Sequence, residues 1–418
     1  MPNELLLSRR PGEAWAALRE EGVTVELHYQ DARHPGSLGD VFAGRVTRVL
    51  PGIQSAFLDV GLERGAFLHA RDLLLPGEEP PQGARRPIQD RLREGQALVV
   101  QVTREASGTK GARVTCHVGL AGRYVVYVPL TPVLGVSRRI VDPSERLQLE
   151  GILSRLPAEG GGFVARTAGR DVEESRFKAD ARVLVALWRS IREAAGRVAP
   201  PTRLHAGEDL LVWLLRDAPR GGPDLVLVDD PRDQERAVGY LAAIDPVLPS
   251  RVRLHGGPGA LLESYNIDRE IQRALEPRVS LRSGGSLVIQ ETEALVAVDV
   301  NTGKFLGEER MEETALRVNE EAAVEIARQL RLRDLGGIVV VDFIDMEGPE
   351  SRQRVLEVLL SALEKDRART EVLGFTGLGL VQLTRERRRR GLAASVLDSC
   401  PTCAGRGRLR SSGLWLGP

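Results

Sequence analysis

Cysteine, lysine, net charge and long apolar runs are all scarce in this chain, and each scarcity excludes something. Three cysteines in 418 residues are too few for a disulfide framework. Only four of the 58 basic residues are Lys, which reads as a genomic bias towards Arg and makes Lys110 and Lys304 worth noting. The 58 basic residues are cancelled by 58 acidic ones, so overall charge does not point to nucleic acid. No apolar run approaches the roughly 20 residues of a membrane span. The start, MPNELLLSRRPGE, lacks a signal peptide, because three leucines give way to Ser and two Arg. The expectation is a soluble, cytoplasmic protein, long enough for three or four domains.

What is present is concentrated in Leu295 to Asp345. Two apolar runs, LVAVDVN and GIVVVDFID, each reach an aspartate and read as strands. Alternation places Asp299 and Asn301 on one face, with Val298 and Val300 turned to the core. Asp342 closes the second run after Ile338, Val339, Val340 and Val341, apolar enough to predict burial on both faces. Met311, Ala315, Val318, Ala322, Ile326 and Leu330 recur between them at helical spacing, and Gly336 and Gly337 are expected to end that helix. If the strands are neighbours, two carboxylates and an amide oxygen gather at one sheet edge, hard ligands suited to Mg²⁺ or Mn²⁺. The plain alternative is that each Asp caps a strand end.

Taken in order, residues 1–38 give short strands with a turn at Glu20, Glu21 and Gly22, too few for a core, so they must join a later piece. Residues 39–118 are short alternating strands punctuated by glycine. They resemble an OB-fold RNA-binding β-barrel, on which Phe57 and Phe67 would stack bases and Lys110, in GTKGA, would touch phosphate. Either Phe could instead fill the core, and His69 fits both readings. Residues 119–205 carry RYVVYVP, Arg138, Arg139 and GGGFVARTAG, whose Arg and Thr could meet a terminal phosphate or merely form a turn. After a break at Ala199-Pro200-Pro201, residues 206–272 give helix-strand units expected to pair with 1–38, with no catalytic cluster. Residues 273–395 hold the carboxylate unit, a hairpin turning at Glu291 to Glu293 and a helix over 350–365. Eight Arg between Arg385 and Arg410 face only Glu386 and Asp398, a stripe that is either a phosphate footprint or a solvated face. Cys400-Pro-Thr-Cys403 is half of a tetrahedral zinc site. With Cys116 far away in sequence, a second chain supplying its own pair is the simple completion, and a redox CxxC is the competing one.

The order SAFLDVG, GAFLHA, GTKGAR, GGFVARTAG, IQRALEPRVSLRSGG, TEALVAVDVNTGKF, NEEAAVEIARQLRLRDLGGIVVVDFIDM and CPTCAGRG resembles the catalytic region of the ribonuclease E/G endoribonucleases along nearly the whole chain. The resemblance implies an α/β multidomain protein. A split ribonuclease H-like domain (1–38 and 206–272) would carry an inserted OB fold (39–118) and a 5′-sensor domain (119–205). A DNase I-like catalytic domain (273–395), a zinc-link (396–410) and a tail (411–418) would follow. It implies that Asp299 and Asp342 bind catalytic Mg²⁺ and that Asn301 holds Asp299 or the scissile phosphate. Gly122, Val126, Arg166 and Thr167 would read a 5′-monophosphate. Phe57, Phe67 and Lys110 would grip RNA, and Cys400 and Cys403 would share Zn²⁺ across a homodimer.

The implied activity is hydrolysis of single-stranded, A/U-rich RNA to 5′-phosphate and 3′-hydroxyl ends, in rRNA and tRNA processing and mRNA decay. Two features depart from the family pattern. Fifteen residues follow Cys403, where longer members carry a further small domain that helps build higher oligomers. Gln382 stands where the family commonly has Glu. A non-catalytic RNA-binding or assembly factor would use the barrel and basic stripe alone. A metal-dependent DNA nuclease would leave the barrel unexplained.

Overall fold

The computed structural model describes residues 3–31, 37–75, 86–106, 110–207, 209–218, 222–245, 247–303, 311–387, 389–403, 405 and 407. Lys304, Gly108 and Thr109 of GTKGA, Arg388, Ala404, Arg406, Arg408, Arg410 and the tail 411–418 lie outside them, as does the side chain of Met311. The chain is a mixed α/β protein with several sheets, and it divides into two compact units. One is built from Trp15–Tyr29 with the residues from Gly257 on, the other from Pro2–Ala14 with Gln30–Gly256.

In the second unit the strand Glu4–Arg10 lies parallel to Leu225–Val228, which lies parallel to Val252–Leu254, with Glu4 opposite Leu225. Parallel neighbours this far apart in sequence need a long connection. Two further bodies occupy it. The first is a closed five-stranded barrel in the order Val41–Leu50, Ser55–Asp59, Ala66–His69, Arg113–Thr115 and Ala97–Arg104, the last pairing back to the first. Period-2 alternation turns Ala56, Leu58, Ala66 and Leu68 into its core and Phe57 and Phe67 outwards. Cys116 is buried in that core. The second body is a four-stranded sheet ordered Leu134–Val136, Gly162–Ala165, Val125–Val128, Leu120–Ala121. The helices Pro143–Leu153 and Glu174–Ala195 pack on it over Tyr127, Phe163 and Phe177, all fully buried.

The first unit is organised on a six-stranded sheet. Its order is Arg278–Ser280, Ser286–Glu291, Leu295–Asn301, Gly337–Asp342, Val381–Arg385 and Thr370–Phe375. Only the two central strands, Leu295–Asn301 and Gly337–Asp342, are parallel. Their crossover is the helix Met311–Leu332, whose Ala315, Val318, Ala322, Ile326 and Leu330 are buried against the sheet. A second helix, Pro349–Leu363, adds Val355 and Leu359 to the same core.

Two expectations change here. The Ile338–Val341 run is not buried on both faces: Val339 and Val341 are fully buried, but Ile338 is 52% exposed. Helices cover one side only, so the run alternates like an antiparallel strand even though one neighbour is parallel. The crossover helix also ends earlier than its glycines. It stops at Leu332, and Asp334 takes the left-handed conformation (φ 49°) while the Leu335 N–H returns to the Leu330 carbonyl. Gly336 serves another need, since a Cβ there would lie 2.6 Å from Arg387 Cγ.

Glu26 is buried and ties this unit together. It accepts hydrogen bonds from Arg367, from Arg331 Nη2 at 3.1 Å and from His28 Nε2 at 3.0 Å, while Arg331 also reaches Glu20 at 2.6 Å. Burial alone would raise the Glu26 carboxyl, but Arg367, His28 and Arg331 together hold it well below the usual carboxylate range. A depressed carboxylate contributes stability above its unfolded pKa and loses it as pH falls through the folded one. Glu26→Gln, which removes the negative charge facing Arg331 and Arg367, is expected to cost about 3 kcal/mol in chemical denaturation at pH 7. It should also flatten the acid-side decline in stability, and a wild-type slope in the variant would refute the coupling.

Candidate functional site

The two central strands end in register, Asp299 opposite Asp342. Adjacent strands lie about 4.8 Å apart, so the two carboxylates stand side by side. Both are exposed, on the sheet face that the helices leave open. Asn301, two residues on and on the same face, donates from Nδ2 to Asp299 Oδ2 at 2.7 Å. That bond fixes one carboxylate oxygen and turns the amide oxygen away from it. Gln382, opposite Val340, shares the open face one strand further over.

Among the described residues no group of three or more His, Cys, Asp or Glu gathers as a metal cage. The pair does suit magnesium, which dehydrates reluctantly and takes one or two carboxylates with waters completing its shell. Exposed, all-oxygen donors on an open face leave room for those waters.

The barrel presents Phe57 and Phe67 directly opposite each other on its outer face, both half-buried, with ring centroids 5.9 Å apart in an edge-to-face arrangement. Arg48, exposed, is the strand partner of Phe57, and Arg113, half-buried and paired with Asp72 at 2.7 Å, is that of Phe67. Lys110 is exposed beside Gly111, where a Cβ would fall 2.0 Å from the Gly65 carbonyl, so only glycine lets the chain pass there. His69 caps a short helical turn, Nδ1 accepting from the Arg71 N–H at 3.0 Å.

Arg166 and Gly122 are brought together: the Arg166 guanidinium donates to the Gly122 carbonyl and, at 2.6 Å, to Asp217. The backbone of Arg166 bonds the Tyr124 carbonyl, and Thr167 opens the short helical turn that follows. Val126 lies on the outer side of its strand, opposite Val164. Two residues that sequence reasoning missed hold this corner. Asp180 is almost fully buried and accepts from the Tyr124 and Val125 N–H groups at 2.7 and 3.1 Å, its carboxyl pushed up by that burial. Asp217 also accepts from Arg216 Nε at 2.8 Å. Asp180 had a signal in the sequence, because it shares the apolar stripe of its helix with Phe177, Ala181 and Leu184.

The basic stripe is less uniform than its sequence implies. Arg385 is buried and bonded to Asp366, Asp334 and the Leu335 carbonyl, so it braces the sheet, while Arg387 bonds the Gly336 carbonyl and stays exposed. Cys400 is exposed. The Cys403 and Thr402 N–H groups lower its thiol from the ordinary range, and the Gly407 N–H points at Cys403 Sγ at 3.3 Å. The amides at Cys400 favour its thiolate, the form that a zinc ion takes.

A model of the ribonuclease E/G family matches residues 119–388. The chain is 40% identical over 416 residues to ribonuclease G of Escherichia coli (strain K12), covering 98% of this chain and 85% of that protein. It is 41% identical over 413 residues to ribonuclease G of Haemophilus influenzae, covering 98% and 84%. To ribonuclease E of Escherichia coli (strain K12) it is 35% identical over 417 residues, covering 99% of this chain and 39% of that protein. The chain belongs to the ribonuclease E/G family.

The corner around Gly122 and Asp180 has a steric test. A Cβ on Gly122 would lie 2.3 Å from Asp180 Oδ1, whereas one on Gly52 meets nothing within 4 Å. Gly122→Ala is expected to cost about 1–3 kcal/mol by overpacking, and Gly52→Ala less than about 0.5 kcal/mol, in urea denaturation.

Proposed function

We infer that this protein is an endoribonuclease that hydrolyses single-stranded RNA at the Asp299–Asp342 pair. The observation that carries the reading is the register of those two aspartates on an open sheet face, in a chain of the ribonuclease E/G family. Magnesium, when bound, would polarise the scissile phosphate and lower the pKa of a water. Asp299 and Asp342 would hold it. Asn301 keeps Asp299 in one orientation through its 2.7 Å bond, so the carboxylate is set before substrate arrives. Products would carry 5′-phosphate and 3′-hydroxyl ends.

The outward pair Phe57 and Phe67 supports a single-stranded substrate, since bases must be unpaired to stack on them. The barrel would then be the OB fold of the split ribonuclease H-like arrangement, and the four-stranded sheet its 5′-sensor, ahead of a DNase I-like catalytic domain. Arg166, Thr167 and the backbone at Gly122 and Val126 would favour RNA with a 5′-monophosphate. Arg166 spends one N–H on Gly122 and one on Asp217, which leaves the rest of its five-donor fork for an anion. Cys400 and Cys403 would complete a zinc site with the same pair from a second chain, giving a homodimer. Roles in rRNA and tRNA processing and in mRNA decay follow from the same reading.

With an A/U-rich RNA bearing a 5′-monophosphate, cleavage should require Mg²⁺ and fall at least about 1000-fold in Asp299→Asn and Asp342→Asn, the scale of losing an electrostatic centre. RNA binding should persist in both. Near wild-type cutting by both variants refutes the assignment, and tight binding with no cutting by the wild type favours the RNA-binding factor. Separately, Arg166→Ala should erase any rate advantage of monophosphorylated over hydroxyl-ended RNA. Equal wild-type rates on the two ends would remove the sensor.

A further inference from the structure

Asp342 occupies an exposed position on its strand in a mechanical sense as well as a solvent one. It is the last residue paired to the Leu295–Asn301 strand, and pairing to Val381–Arg385 stops one residue earlier, at Val341. Beyond it the sheet offers no further ladder bond to hold the chain. The next peptides are held by the crossover helix. Asn319 is fully buried and makes two bonds to one residue, Nδ2 donating to the Ile344 carbonyl at 2.8 Å and Oδ1 accepting from the Ile344 N–H at 3.0 Å. This reproduces, with a side chain, the paired bonds a neighbouring strand would make.

Seven residues before Asn319, two turns back on the same helix face, Glu312 accepts from the Glu347 N–H at 3.1 Å and the Gly348 N–H at 3.2 Å. Phe343 and Met346 are buried on either side of the Asn319 clamp while Asp342 and Asp345 stay exposed. A buried amide satisfied on both of its polar ends is conspicuous in a helix face otherwise lined by Ala315, Val318, Ala322 and Ile326.

We propose that Asn319 is a positioning residue for Asp342, acting as a surrogate strand that fixes the chain just past the carboxylate, with Glu312 fastening the far end of the same loop. The proposal rests on the nuclease reading above. Asn319 touches neither substrate nor metal in this role. It sets where the Asp342 carboxylate stands relative to Asp299, and a misplacement of about 1 Å can cost about 100-fold in rate.

The test compares Asn319→Ala with Val355→Ala, which thins the same core from the other helix, and with wild type and Asp342→Asn. Three quantities are measured: kcat and KM on the monophosphorylated RNA, RNA affinity, and amide hydrogen exchange of the peptide covering Phe343–Gly348. Asn319→Ala should lower kcat by about 10- to 100-fold with KM and RNA affinity within about 2-fold, and should speed exchange in that peptide. Val355→Ala should lower the melting temperature yet keep kcat. A kcat in Asn319→Ala within 2-fold of wild type, or an equal loss in Val355→Ala, overturns the role. If Asn319→Ala fails to fold, Glu312→Ala at the loop's far end carries the test, with a kcat loss of about 3- to 10-fold and faster exchange at Glu347 and Gly348 expected. Unchanged values there overturn the role as well. A wild type that does not cut RNA overturns the nuclease reading together with this role.

Discussion

Two parallel strands cannot be joined by a hairpin, and that constraint shapes the acidic end of the six-stranded sheet. The chain leaving Asn301 must return to the same end of the sheet before it can run alongside itself as Gly337–Asp342, so a long helix has to cross one face. The crossing buries Val296, Val298, Val339 and Val341 and leaves the alternate residues uncovered. Asp299, Asn301 and Asp342 all fall in the uncovered set, at the end where both strands stop. The same helix then supplies Asn319 and Glu312 to the loop beyond. Placement of the acidic pair and openness of its face are therefore one decision, made by the connection.

Several arginines of this chain serve internal joints rather than surface charge. Arg331 and Arg367 converge on Glu26, Arg385 spans Asp366 and Asp334, and Arg166 is set by Asp217. A guanidinium suits such joints because its planar fork satisfies two or three acceptors at once. The chain reaches no net charge because its 58 acidic residues match its 58 basic ones, 54 of them Arg. Other arginines remain at the surface, Arg48 beside Phe57 among them.

Much of this was legible before any coordinates. Apolar periodicity marked both acidic strands and the helix between them, and alternation gave the common face of Asp299 and Asn301. The outward direction of Phe57 and Phe67 is open to two readings in the sequence, because alternation fixes that they share a side but not which side is inside. The run Ile338–Val341 misled by composition, since four β-branched residues in a row look the same whether one or both faces are covered. Arg385 misled for the opposite reason: its partners, Asp334 and Asp366, are 51 and 19 residues away, and no local pattern announces a long-range ion pair. Asn319 lay in plain view on an apolar helical stripe, the position where a polar residue needs a partner that only the fold can name.

The joint at Glu26 also has a bearing on how the protein is made. Trp15–Tyr29 belongs to the same compact unit as the residues from Gly257 on, and Glu26 is tied to Arg331 and Arg367, 305 and 341 residues later. At about 5–20 residues per second, synthesis separates the two sides by roughly 15–70 s. Throughout that interval the alternating apolar strand Val23–Asp31 has left the ribosome without the helix that will neutralise its buried carboxylate. The Pro2–Ala14 and Gln30–Gly256 unit is completed first, so the nascent chain carries an unfinished domain across the making of another.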